Sequence, residues 1–157
     1  MLPSVTAGFS LSAFIAQNYG AKKQNRIREG VRFGVFIALI SYLSLGLALF
    51  FFPKFWSGLL LNETDTILLS ARFLHICGGL FLPLNLLFVY RSTLQGMGKP
   101  FIPMCSGILE MLIRILTILL FLPRYGFIVT AYAEVVAWIG ALLLNFATYR
   151  IMMKKHE

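Results

Sequence analysis

Five apolar stretches, each close to the length of a membrane-crossing helix, leave this chain few ways to fold. Met1 to Ala21 and Phe33 to Pro53 contain no charged residue, and Phe73 to Tyr90 contains only His75. Pro100 to Pro123 is interrupted by Glu110 and Arg114 alone, and Tyr125 to Tyr149 by Glu134 alone. A helix needs about 20 residues to cross about 30 Å of hydrocarbon. Backbone amides find no water there, so each span must satisfy its own hydrogen bonds as a helix, and the strand alternation of a membrane barrel is absent. Charged residues make up only 13% of the chain, about half the share that wets a soluble domain. The expected fold is all-α and polytopic, with about five spans near residues 3–20, 32–53, 73–91, 101–122 and 127–149.

Net charge is +8, from 14 Lys+Arg against 6 Asp+Glu. In a soluble protein such an excess would suggest nucleic acid, but here the cations flank the apolar stretches and no nucleic-acid partner is expected. Lys22, Lys23, Arg26, Arg28, Arg32, Arg91, Lys99, Arg150, Lys154 and Lys155 fall on one side, and Lys54, Arg72 and Arg124 on the other. The side richer in Lys and Arg faces the cytoplasm. The expectation is a multi-pass protein of the bacterial inner or plasma membrane, with its C-terminus inside and its N-terminus outside. The first stretch lacks the basic leader of a signal peptide and is only moderately apolar. It suits a helix inserted after others, so the chain is expected to be the tail of a longer protein.

Motifs for catalysis are missing: Gln95 to Lys99 lacks P-loop spacing, and there is no nucleophile elbow, HExxH or clustered carboxylates. No enzyme activity, cofactor or metal is expected. Cys77 and Cys105 sit in apolar stretches and read as reduced packing thiols. Small residues recur at every fourth position in Ser4, Gly8, Ser12 and Ala16, in Gly30, Gly34 and Ala38, and in Ala133, Ala137 and Ala141. Such rows let membrane helices approach closely. Gly78, Gly79 and Pro83 can bend the third span.

Charge within a span costs roughly 2.5–3.5 kcal/mol per residue on insertion scales, so it needs a reason. Glu110 and Arg114, at i and i+4, share a helix face. One reading is a neutralised pair that orients the helix; the other is a polar patch in which Glu110 binds a proton or cationic substrate. Glu134 has no partner on its own helix, and either meets a group on another helix or faces a water-filled cavity. Asn85 and Asn145 suit interhelical hydrogen bonds, with Asn85 also a candidate substrate contact.

Three local patterns resemble the multidrug and toxic compound extrusion (MATE) transporters. They are Ala16-Gln17-Asn18-Tyr19-Gly20-Ala21-Lys22-Lys23, then Tyr90-Arg91-Ser92-Thr93-Leu94-Gln95-Gly96-Met97-Gly98-Lys99-Pro100, then Glu110-Met111-Leu112-Ile113-Arg114. Gln17, Asn18, Gly20, Arg91, Gln95, Gly96 and Gly98 are the motif positions. The resemblance implies that residues 1–157 form a partial C-terminal lobe, equivalent to helices eight to twelve of a two-lobed, twelve-helix fold. It further implies secondary active efflux of cationic or amphipathic drugs and toxins in exchange for H⁺ or Na⁺, with the bilayer and an N-terminal lobe as partners. Phe73 to Tyr90, which resembles helix ten, contains no Asp or Glu, which fits coupling through the N-terminal lobe. A flippase of lipid-linked oligosaccharides from the same superfamily, or a truncated, non-transporting membrane fragment, are the alternatives.

Overall fold

The computed structural model describes residues 3–155 as a helical bundle, without strands among those residues. Helix α1 runs over Pro3–Gly20. A short turn, in which Lys22 takes a left-handed backbone conformation (φ 56°), reverses the chain into α2 at Gln24–Ser41. A π-helical segment, Tyr42–Gly46, continues α2 into α3 at Leu47–Phe51. Pro53 has no N–H to extend that helix and instead opens α4, Pro53–Gly58. Then come α5 (Thr64–Gly79), α6 (Leu82–Gly96), α7 (Phe101–Tyr125) and α8 (Ile128–Lys155). The turn from α7 to α8 passes through Gly126 at φ 68°, a conformation that side chains resist.

Three of these runs are long and apolar enough to cross a membrane: Gln24–Phe51, Phe101–Tyr125 and Ile128–Lys154. Helices α5 and α6, bent by 54° at their joint, are long and apolar enough only when taken together. By these measures the five expected stretches yield three spans, or four with the bent pair counted as one. The exception is α1, where Thr6, Ser10, Ser12, Gln17 and Asn18 dilute the apolar residues. It lies along α6 and α2 within the same bundle.

Two boundaries differ from the sequence expectation because charge was used to mark loops. The first basic connection is only residues 21–23, and Arg26, Arg28 and Arg32 lie on the opening turns of α2. The third stretch is not confined to 73–91: it starts at Thr64 and ends at Gly96, with Asp65, Arg72 and Arg91 on its helices. Charged side chains near helix ends can reach the interface along their own stems, so they do not stop a helix.

The break falls at Leu80 and Phe81, between Gly79 and Pro83. Breaking a helix frees backbone carbonyls that hydrocarbon cannot satisfy. The Tyr42 hydroxyl, on the π-helical segment, donates to the Gly79 carbonyl at 3.0 Å. Nearby, His75 Nδ1 lies 2.9 Å from the Phe50 carbonyl, near the end of α3, where a protonated Nδ1 donates. The segments cross so closely that a Cβ on Gly78 would stand 2.9 Å from the Phe50 nitrogen and 3.0 Å from the Gly46 oxygen.

One apolar core joins α1, α2, α6 and α8 through Leu11, Ile15, Ile27, Val31, Leu94 and Met153. A second joins α5 to α8 through Cys77, Ala131, Val135 and Trp138. The small-residue rows of α2 and α8 are buried, whereas in the row of α1 Gly8 is buried and Ala16 exposed. Ala133, Ala137 and Ala141 are fully buried, and a Cβ on Gly34 would press on Leu11 and Val89. Both cysteines are free thiols, Cys77 buried and Cys105 half-buried.

Candidate functional site

Helix α7 is the most amphipathic part of the bundle. Its outer side is apolar and exposed through Met104, Ile108, Met111, Ile115 and Leu119. Ser106, Glu110, Arg114 and Thr117 follow at spacings of three or four, and therefore share the opposite face. That face looks onto α6 and α8, and the intramembrane charges meet there.

Four residues form one alternating ladder. Arg91 of α6 donates from Nη2 to Glu110 Oε2 at 2.7 Å, and from Nε to the Ser106 hydroxyl at 3.2 Å. Glu110 Oε1 accepts from Arg114 Nη2 at 3.2 Å. The same nitrogen donates to Glu134 Oε2 on α8 at 2.7 Å. Two guanidiniums and two carboxylates sum to zero charge, which removes most of the reason for hydrocarbon to reject them. Glu110 is the most enclosed, with 15% of its side chain exposed, and Arg114 retains 33%.

The ladder occupies the middle of the bundle. Glu110 lies nine residues into α7, about 14 Å along the axis, and Arg114 about 20 Å, at roughly 1.5 Å per residue. Glu134 enters from the other end, six residues into α8. The arrangement therefore ties α6 to α7 and α7 to α8. One atom stands out. Arg114 Nε is buried and has no hydrogen-bond partner among the described residues, although a buried donor ordinarily finds one.

Of the residues singled out in the sequence, Glu110, Arg114 and Glu134 come together, and Glu134 does so through a partner on another helix. Asn85 is fully buried on α6, close to the helix break. Asn145, also fully buried, donates to the Ala141 carbonyl on its own helix at 2.7 Å. The motif residues divide by task. Asn18 donates to the Phe14 carbonyl at 2.8 Å near the end of α1. Gln17, Gly20, Gln95 and Gly98 are exposed, and Gly98 supplies the φ of 71° that turns α6 into α7. Gly96 is a crossing point, where a Cβ would stand 2.5 Å from the Ser12 carbonyl oxygen.

Sequence reasoning missed the roles of Arg91 and Ser106. Arg91 is no flanking cation: it lies within α6 and only 20% of its side chain is exposed. The available signal was the lack of any helix breaker between Pro83 and Gly96. Among the described residues, no group of three or more His, Cys, Asp or Glu side chains could hold a metal ion.

Long apolar helices, a bent helix pair and charges paired within the bundle define a polytopic helical membrane protein. The MatE family model matches residues 1–120, and the chain belongs to this family of transporters. It is 23% identical over 163 residues to the Bacillus subtilis (strain 168) protein named "Probable multidrug resistance protein YoeA", across 99% of this chain and 34% of that protein. A multidrug resistance MATE family transporter of the MOP superfamily, solved in an inward-facing conformation, shares the fold with a TM-score of 0.84. That match has 15% identity and covers 92% of this chain and 33% of the other. The chain thus spans about a third of the length of these relatives.

Proposed function

We propose that this chain supplies most of the C-terminal lobe of a secondary multidrug antiporter, and that the ladder is part of its coupling machinery. On this reading the transporter exports cationic or amphipathic compounds in exchange for H⁺ or Na⁺. The observation that carries the proposal is Arg114, whose single Nη2 serves carboxylates on two helices while its buried Nε has no acceptor among the described residues. A proton or Na⁺ arriving at Glu134 competes with Arg114 for the carboxylate. Neutralising Glu134 removes the charge that draws α7 toward α8 and returns the guanidinium to Glu110 alone.

Alternating access requires one group of helices to move against another. The joint between α5 and α6 offers a place to bend, because the regular helix stops at Gly79 and resumes at Leu82. The basic end of the bundle faces the cytoplasm in this reading, and a second lobe completes the pathway. The test is Glu110→Gln in the complete transporter. The expected result is drug resistance falling to the level of cells lacking the protein, at unchanged membrane abundance. Unchanged resistance at unchanged abundance would remove Glu110 from the coupling machinery.

A further inference from the structure

At the basic end, α2 and α8 enclose an open groove of about 800 Å³. Arg28 and Arg32 line one wall from α2, and Arg150 and Lys154 line the other from α8. Each pair is spaced i, i+4, so each helix presents two cations on one face. Among the described residues no Asp or Glu lines the groove, and Tyr90 and Tyr149 add two aromatic rings with hydroxyls. Their ring centroids are 5.5 Å apart. The Arg150 guanidinium lies 5.9 Å from the centroid of the Phe146 ring, a cation–π contact that steadies it.

We propose that this groove binds the phosphate headgroup of an anionic glycerophospholipid. Guanidiniums match phosphate oxygens in a fork geometry, and basic pockets between membrane helices on the cytoplasmic side suit such headgroups. The wall below the cations is apolar, through Val35 and Phe146. Ile151, which also lines the groove, is exposed at 69% and offers a surface for acyl chains. A soluble phosphate would use the cations but leave that wall unused. A cationic drug, the cargo proposed above, would be repelled by Arg32, Arg150 and Lys154, so this site is separate from the cargo route.

Native mass spectrometry of the full chain in a neutral detergent, with phosphatidylglycerol or phosphatidylcholine added, tests the assignment. The expected result is a phosphatidylglycerol adduct that survives detergent removal and a phosphatidylcholine adduct that does not. The triple variant Arg32→Gln/Arg150→Gln/Lys154→Gln should weaken phosphatidylglycerol binding by about 100-fold, taking each interfacial cation at its usual worth. Lys154→Gln alone, at an exposed position that folding does not need, should weaken it about fivefold. A control with equal charge loss outside the groove, Lys22→Gln/Lys23→Gln/Arg26→Gln, should change it little. Equal retention of the two lipids, or an equal loss in the control, would overturn the proposal. Displacement of the adduct by inorganic phosphate alone would assign the groove to a soluble phosphate and overturn the lipid assignment.

Discussion

Helices α1, α2 and α6 are held together by missing side chains, whereas α7 adds charge to its packing. In the first group Gly8, Gly30, Gly34 and Gly96 let neighbouring helices approach so closely that an added Cβ would meet an atom within 3 Å at each position. Helix α7 has one such contact, where a Cβ on Gly140 of α8 would stand 2.5 Å from Ile113 Cδ1, and it also reaches α6 through Arg91–Glu110 and α8 through Arg114–Glu134. Close packing of this kind has one arrangement, and a bound ion cannot alter it. An ion pair can exchange partners with any cation that reaches it. The glycine-packed group is therefore the fixed part of the bundle, and the contacts of α7 are the adjustable part.

The largest expected effect breaks the charged side of this contrast. Arg114→Gln leaves Glu134 without its cation and Glu110 with Arg91 alone, and should cost about 3 kcal/mol. Unfolding the chain by graded SDS in mild detergent measures it; a loss under about 1 kcal/mol would mean that α7 is held by its apolar contacts. Next comes the packed side. Gly96→Val places a branched side chain where the Ser12 carbonyl and Ile15 already stand, and should cost about 2 kcal/mol in the same assay. An unchanged transition would show that α1 and α6 can separate freely.

Smaller changes sharpen the contrast. Tyr42→Phe removes the only side-chain donor found on the Gly79 carbonyl among the described residues, and should cost about 1 kcal/mol. It should also speed amide hydrogen exchange around Leu80 and Phe81; unaltered exchange there would show that the hydroxyl does not secure the break. Gly20→Ala has no neighbour within 4 Å to meet, so stability should stay within about 0.5 kcal/mol. A clear loss would point to a constraint on the α1–α2 turn that steric contact does not explain.

Much of this division was legible before the fold was known. The small-residue rows of α2 and α8 marked buried faces because spacing alone places such residues on one side of a helix. The Glu110–Arg114 pair was legible for the same reason. Glu134's partner was not, because the turn at Gly126 decides how far α7 slides along α8. Arg91 was misassigned because a cation between apolar stretches looks like a loop marker, although nothing after Pro83 ends the helix before Gly96. The same habit hid the groove at the basic end: Arg28 and Arg32 form a wall only once α2 is known to start at Gln24. The break in the third span was foreshadowed by Gly78, Gly79 and Pro83. Its closure by Tyr42 was not, since the π-helical segment sets where that ring points.

The most direct test of the central claim is gradient-driven drug transport by the complete transporter in proteoliposomes, comparing wild type with Glu134→Gln under imposed H⁺ and Na⁺ gradients. Gln can still accept a hydrogen bond from Arg114, so the fold should remain while the charge that a coupling ion would neutralise is gone. The account predicts wild-type abundance and thermal stability with transport lost under both gradients. Transport at the wild-type rate under either gradient would contradict it, and would leave the ladder as a fastening for α7.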